Sequence, residues 1–248
     1  MDVSLYQAAA AMNATAQWQD MITQNLTTSG ISGGRKHDVV FSDVQAGMDP
    51  NVNPGSQSNY FIPVATQVTN FQPGEIHASS SPMDFALEGP GYFNVEMPNG
   101  QIAYTRGGSF ELNAKGELVT NQGYPILSDG GPIKVNPNNS DSLTISATGE
   151  INQGQQHLGK FKLTEFDNPA YLTTIGAGSF QADNPDAGAT AAVATKVRQG
   201  FLEEANTSPT TEMSGLVTAM RMFEANQKVM QMQSDRMSRT ITELGGTS

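Results

Sequence analysis

The chain lacks cysteine altogether. None of its 248 residues is Cys, so disulfide bonds, zinc sites built from thiolates and cysteine nucleophiles are all excluded. The length suits one sizeable domain, or one domain with helical arms attached. The 25 glycines and 13 prolines predict a chain with many turns.

Positive charge and long apolar runs are scarce as well. The 13 Lys and Arg residues stand against 24 Asp and Glu residues, a formal net charge of −11, which argues against binding to nucleic acid. No stretch approaches the roughly 20 apolar residues that cross a bilayer, so we expect no membrane insertion. Asp2 and the short apolar run 8–12 do not form a secretory signal. A cytoplasmic protein and one exported by a dedicated, signal-independent machine both fit this pattern.

The sequence also lacks recognisable sites for chemistry. The three histidines, His37, His77 and His157, are scattered, and none has a second ligand three or four residues away. Residues 89–91 (GPG) lack the Lys-Ser/Thr ending of a phosphate-binding loop and predict a tight turn. We therefore expect no catalytic residue, no cofactor and no metal, and a protein that is not an enzyme.

Three residues leave alternatives open. Asp84 and Glu88 are carboxylates that an exported periplasmic hydrolase would use as acid and base in glycoside cleavage. Arg106 suits either a specific interface contact or a salt bridge at a hairpin end.

The first zone of the chain has helical periodicity. Over residues 3–28, apolar side chains recur at spacings near three and four, and Gly30, Gly33 and Gly34 end the pattern. The next zone, 46–75, holds four prolines and three glycines among Asn, Gln and Ser and predicts an extended connector.

The last zone predicts a long helix over 209–244. Pro209 fits the first helical position after Ser208 as N-cap. Apolar residues then alternate in steps of three and four, broken only by Gln227 and Ser234. Such a heptad stripe on a helix of roughly 54 Å requires a partner helix. Such a stripe forms either the core of a monomer or an interface between subunits. We predict that it pairs with the first helix and that both face other copies, through Leu5, Met12, Ile22, Leu26, Met213, Leu216, Met220, Phe223, Met230, Met237, Ile241 and Leu244.

The middle of the chain predicts short strands. Residues 92–97 and 101–106 flank Pro98-Asn99-Gly100, and Asn-Gly is the turn chemistry that closes a hairpin. Further turn signals recur to about residue 149, which favours an antiparallel barrel-like or sandwich-like domain. The predicted fold class is α+β, an antiparallel β-rich central domain flanked by N- and C-terminal helices that pair as a coiled coil. The predicted divisions are a helical segment 1–45, the connector 46–75, the β domain 76–182, a linker 183–200 and the C-terminal helix zone 201–248.

Several motifs in a fixed order resemble the bacterial flagellar rod and hook axial proteins, over nearly the whole chain. Asn25-Leu26 lies where that family has an Asn-Asn-Leu-Ala-Asn signature. The other matching segments are 5–14 (LYQAAAAMNA), 82–93 (PMDFALEGPGYF), 103–110 (AYTRGGSF), 116–123 (GELVTNQG), 200–206 (GFLEEAN) and 221–229 (RMFEANQKV). Residues 27–34 (TTSGISGG) depart from the pattern, as do Ala205 and Thr207.

The resemblance implies a structural subunit of the basal-body rod that polymerises through its terminal helices. Its implied partners are other copies of itself, other rod and hook axial proteins, and the flagellar type III export apparatus. The implied location is the periplasm-spanning rod. A single compact middle domain favours the rod over the hook, and the lack of a long insertion after the first helix favours the proximal over the distal rod.

Overall fold

The computed structural model describes residues 3–48, 59–136 and 142–245. These residues form two compact units. The helical unit consists of the described parts of segments 1–26, 37–68 and 209–248, and the β unit of the described parts of 27–36 and 69–208.

The helical unit holds the two helices that the sequence predicts. The first, α1, spans Val3–Thr28, and α2 spans Pro209–Gly245. Pro209 begins α2 because a missing N–H costs nothing at the first helical position, and Glu212 in the first turn suits the helix dipole. An N-terminal and a C-terminal helix around a β-rich middle are thus confirmed.

The helical unit also contains a hairpin that the sequence analysis did not predict. Strand β1 (His37–Met48) pairs with β2 (Asn59–Thr69) as a two-stranded sheet. All of β2 lies in the zone 46–75, predicted to be an extended connector, and it contains Pro63, a residue disfavoured inside strands. Pro63 is tolerated because a two-stranded sheet consists of edge strands alone.

The β unit contains the remaining strands, all short. They are β3 (Ile76–Ala78), β4 (Phe85–Glu88), β5 (Tyr92–Glu96), β6 (Ile102–Thr105), β7 (Phe110–Leu112), β8 (Leu118–Thr120), β9 (Leu127–Ser128), β10 (Gly131–Pro132), β11 (Leu143–Ile145), β12 (Glu150–Gln153), β13 (Gln156–Lys160), β14 (Leu163–Phe166), β15 (Thr173–Gly176), β16 (Ser179–Gln181), β17 (Ala189–Ala191), β18 (Lys196–Gln199) and β19 (Phe201–Glu203).

Antiparallel pairing organises these strands around one larger sheet. Its order is β15-β16-β6-β5-β14-β17, and the other strands form sheets of two or three. The predicted hairpin is β5–β6, in which Glu96 is paired with Ile102 and Gly100 takes a φ of +78° in the turn. That conformation is one that glycine adopts without strain.

The core of the β unit is aromatic. Phe85, Phe93, Phe110 and Phe161 are buried together, and the rings of Phe93 and Phe110 meet edge to face with centroids 5.1 Å apart. Edge-to-face packing of this kind adds to the energy of burial. A second buried cluster surrounds Tyr92.

The segment 183–200, predicted to be a linker, is part of the β unit. Strand β17 extends the larger sheet beside β14, and β18 pairs with β4. The low-complexity composition of 183–195 concealed β17, because alanine and threonine give little alternation. The zone beginning at residue 201 likewise starts with a strand, β19, which pairs with β3 before α2 begins.

Candidate assembly interface

Helix α2 carries the predicted stripe, and much of it is exposed. Met213, Met220 and Ile241 expose 56, 52 and 65 % of their surface. Met237 is also exposed, whereas Leu216, Phe223 and Met230 are half-buried. Leu244 lies in α2, but its side chain falls outside the described residues. The exposed members of the stripe are therefore not part of the hydrophobic core of a single chain.

A second apolar stripe on α2 was missed by the sequence analysis. Met222, Ala225, Val229 and Met232 recur at steps of three and four, and all are exposed, Met232 by 63 %. A third line of the helix is charged and includes Arg221, Glu224, Lys228 and Asp235. A count of apolar residues around the whole helix, rather than along one heptad seam, would have revealed the second stripe.

Helix α1 contributes a nearly uncharged surface. Asp20 is the only charged residue between Val3 and Thr28. Of the predicted interface residues, Leu5, Met12 and Leu26 are half-buried and Ile22 is buried. The polar side chains of α1 are otherwise uncharged, so few charges oppose its contact with another surface.

The two helices contact each other in an antiparallel arrangement. Ile22 packs with Ala219, and Leu216 packs against the same small cluster. Asn25 Nδ2 lies 3.4 Å from a Glu212 carboxylate oxygen at one end of the contact. Ile22 and Leu216 thus serve the fold of the single chain, unlike the exposed Met213, Met220, Met237 and Ile241.

Asn25 joins the end of α1 to the start of β1. Its Nδ2 donates to the His37 carbonyl at 2.8 Å, and its Oδ1 accepts from the His37 N–H at 2.7 Å. Burial lowers the pKa of His37 below its ordinary value, and Asp38 opposes that shift. The Asn25-Leu26 motif therefore has a local structural role within the helical unit.

A buried ion triad holds together distant segments of the β unit. Glu203 is completely buried, and one of its carboxylate oxygens accepts from Arg35 Nη2 at 2.6 Å and from the Gly74 N–H at 3.0 Å. The other accepts from Arg106 Nη1 at 3.0 Å. Arg106 also donates to the Leu87 carbonyl at 3.3 Å. Arg106 is therefore an ion-pair residue, but within the β unit rather than at a hairpin end.

Asn206 ties down the same region of the β unit. Its Oδ1 accepts from the Lys36 N–H at 2.7 Å, and its Nδ2 donates to the carbonyls of Asn70 and Gln72. Segment 29–36, which follows α1, and the segment that precedes α2 are thereby fixed within the β unit. Two of the motifs that carry the family resemblance, 103–110 and 200–206, supply Arg106, Glu203 and Asn206 to this arrangement.

The residues weighed for catalysis occupy structural positions. Asp84 is buried and accepts a hydrogen bond from the Ser79 hydroxyl, and its carbonyl accepts from the Gly200 N–H at 2.8 Å. Glu88 is exposed at the end of β4. Over the described residues, no group of His, Asp and Glu side chains suits a metal ion. No helix in the same residues has a stretch long and apolar enough to traverse a bilayer.

Comparisons with known proteins agree with the sequence motifs. Residues 86–153 match the family described as flagellar hook protein FlgE/F/G D1 domain, and residues 198–244 match the flagellar basal body rod FlgEFG protein C-terminal family.

Whole-length relatives carry related names. The chain is 30 % identical over 250 residues to a flagellar basal-body rod protein FlgF of Mesorhizobium japonicum, covering all of both chains. It is 30 % identical to a flagellar basal-body rod protein FlgG of Buchnera aphidicola, with 97 and 99 % of the two chains covered. A FlgG of Borreliella burgdorferi is 31 % identical, with 92 and 93 % covered. The chain belongs to the flagellar basal-body rod proteins of the FlgF/FlgG type, and its role is structural rather than enzymatic.

Proposed function

We propose that this chain is a subunit of the proximal rod that polymerises through its two terminal helices and transmits torque. In the assembly α1 and α2 pair as a coiled coil and stack against other copies through the predicted interface residues. The β unit forms lateral contacts. The observation that carries this proposal is that α2 exposes apolar side chains along two separate lines.

The two stripes on α2 support an open polymer. A helix with one apolar face is satisfied by one neighbour, whereas a helix with two such faces needs neighbours on two sides. When the two faces differ, each contact joins one face of a subunit to a different face of its neighbour. Repetition of such contacts yields a filament, whereas contact between identical faces yields a closed pair. A wall of subunits joined on several helix faces also resists shear, which torque transmission requires.

The energy available suits assembly at a growing end. Covering one half-exposed Met or Val side chain contributes on the order of 1 kcal/mol. The eight exposed large apolar side chains of α2 in the described part of the chain then contribute about 8 kcal/mol in total. Association of two proteins costs about 4–15 kcal/mol in lost freedom. A gain inside that range does not by itself hold two copies together, whereas a site offering several neighbours covers more apolar surface for one such cost.

The lengths of the alignments favour the proximal kind of subunit. The alignment with the Mesorhizobium FlgF spans 250 positions for all 248 residues of this chain. The alignment with the Buchnera FlgG takes 263 positions to cover 97 % of it. The FlgF alignment thus places almost no gaps in this chain, in agreement with the lack of a long insertion after the first helix.

The partners we propose are other copies of this chain, neighbouring rod and hook axial proteins, and the flagellar type III export apparatus. A chain without cysteine crosses an export channel unfolded without forming disulfides on the way.

The test replaces side chains of the second stripe. The Met222→Asp/Val229→Asp double variant is expected to lose motility and to be absent from purified basal bodies, because charge is placed on a surface that must be buried. The Gln231→Asp/Thr242→Asp control adds the same charge on the polar side of α2 and is expected to retain motility. Normal rods containing the first variant would refute the proposal.

A further inference from the structure

The hairpin β1–β2 has two faces with different surroundings. On one face, Val39 packs beside the cluster of α1 and α2 side chains. Phe41 meets Trp18 edge to face, with ring centroids 6.0 Å apart, and Gln67 Nε2 lies 3.4 Å from Gln24 Oε1. These odd-numbered residues cover α1. Because side chains alternate along a strand, the even-numbered residues lie on the opposite face.

That opposite face carries a row of valines. Val40, Val44, Val64 and Val68, which we call the valine face, expose between 39 and 51 % of their surface. Ser42 and Thr66 lie between them on the same face. Among its described side chains, 38–44 and 62–68, Asp38 at one end is the only charged member. Single exposed valines are ordinary, but an uncharged row on an open sheet lacks the charges by which sheets avoid contact with other chains.

We propose that the valine face is a second assembly surface, occupied in the rod by another copy of this chain. The inference rests on the proposed function and extends it, because the interface derived from the helices includes no residue of the hairpin.

The size of the hairpin indicates what kind of contact it makes. Strands of 12 and 11 residues at about 3.3 Å each, two strands wide, present a face of roughly 400 Å². A stable complex buries about 800 Å² per partner. The valine face is therefore too small to hold a dimer alone, and it serves a neighbour that the helices already hold.

Charge argues for a copy of the chain rather than for a lipid surface. Segment 37–69 contains no Lys or Arg and includes Asp38, Asp43 and Asp49, so an anionic membrane would repel it. Two copies of a chain with a net charge of −11 repel each other where their carboxylates meet. The valine face is a surface on which they approach without that penalty.

The first test makes the valine face polar without changing its shape. Thr retains the β-branch and the strand preference of Val, so the Val40→Thr/Val44→Thr/Val64→Thr/Val68→Thr variant is expected to fold. We expect its amount in purified basal bodies to fall at least about tenfold. Val193→Thr, at a valine that is 92 % exposed in the β unit, is the control and is expected to match the parent chain. Incorporation of the quadruple variant at the parent level would overturn the inference.

The second test does not depend on the folding of that variant. Because the chain has no cysteine, Val44→Cys places one thiol on the valine face and Asp43→Cys places one on the other face of the same strand. A photo-crosslinking maleimide on the Val44→Cys thiol is expected to join peptides of a second copy in assembled rods, at least about tenfold more than in dilute monomer. The Asp43→Cys probe is expected to give no such enrichment.

The outcomes separate this inference from the function on which it rests. Crosslinks from the Val44→Cys thiol to lipid or to another protein alone, or equal crosslinking in rods and monomer, would overturn the valine face as a contact between copies. Absence of the unsubstituted chain from purified rods would instead refute the proposed function.

Discussion

The β unit buries its large apolar side chains within one chain, whereas the helical unit leaves many of them exposed. In the β unit, Phe85 and Phe93 are completely buried in a cluster that draws on most of its strands. In the helical unit the buried cluster consists of Met21, Ile22 and Ala219. The comparison teaches that one unit is folded by its own contacts, while the other leaves apolar surface that, under the proposed function, neighbouring subunits cover.

The polar interactions of the two units differ in the same direction. The β unit buries a three-membered ion network that joins segments up to 168 residues apart in sequence. A buried network of this kind is costly to disrupt and rigidifies what it joins. In the helical unit, Asn226 Nδ2 donates to Thr15 Oγ1 at 3.3 Å and Asn25 Nδ2 to a Glu212 carboxylate oxygen at 3.4 Å, both in partly buried positions.

The largest effect is expected from the triad. Glu203→Gln leaves two buried guanidinium groups without their carboxylate and should lower the free energy of unfolding of the β unit by roughly 3–5 kcal/mol. Native-state hydrogen exchange of β5 and β6 measures this loss. The exposed neighbour supplies the control, since Glu204→Gln should change stability by less than about 0.5 kcal/mol. A loss below about 1 kcal/mol for Glu203→Gln would show that the triad does not stabilise the unit.

One substitution made in both units tests the comparison directly. Leu118 is completely buried in the β unit, so Leu118→Ala should cost about 2–5 kcal/mol. Leu216 is half-buried in the helical unit, and Leu216→Ala should cost the monomer about 1 kcal/mol or less. Urea unfolding followed by Trp18 fluorescence reports on the helical unit, because Trp18 is the single tryptophan, and hydrogen exchange reports on the β unit. Equal losses in the two units would break the comparison.

A smaller effect is expected at the junction of α1 and β1. Asn25→Ala removes both side-chain bonds to the His37 backbone and should cost about 1–3 kcal/mol. Asn13→Ala, at an exposed position of the same helix, should cost nothing, because alanine favours the helix. Trp18 fluorescence during urea unfolding distinguishes the two variants. Equal stability of the two would mean that the Asn25 bonds contribute nothing.

Elements with a local sequence signal were predicted, whereas features that depend on residues distant in the sequence were missed. The heptad steps after Pro209 and the Asn99-Gly100 turn each lie within one element, so periodicity and turn chemistry were sufficient. The burial of Glu203 depends on Arg35 and Arg106, which lie 168 and 97 residues away. Glu203 and Glu204 are adjacent glutamates, a residue type that usually lies at the surface. No local pattern distinguishes the buried Glu203 from the exposed Glu204.

The hairpin was missed for a related reason. Segment 37–48 alternates poorly because Val39 and Val40 are adjacent, and Pro63 interrupts the second strand. What stabilises the strands is packing of their odd-numbered face on α1, a tertiary contact that strand propensity does not encode. The candidate interface was predicted in part: the stripe on α2 was found, while the second stripe and the valine face required the exposed fraction of each side chain.

The smallest effect we predict is a pH dependence confined to the helical unit. Burial lowers the pKa of His37 below its ordinary value of 6.5, so folding favours the neutral ring. The stability that this provides is complete above about pH 6.5 and is lost as the pH falls through the lower pKa of the folded state. Urea unfolding followed by Trp18 fluorescence at pH 7.5 and pH 5 should show the loss, and it should shrink in His37→Gln. Because Asp38 opposes the shift, Asp38→Asn should make the loss larger than in the parent chain. The opposite result would be a helical unit that becomes more stable on acidification, with that gain abolished in His37→Gln. It would mean that folding raises, rather than lowers, the pKa of His37.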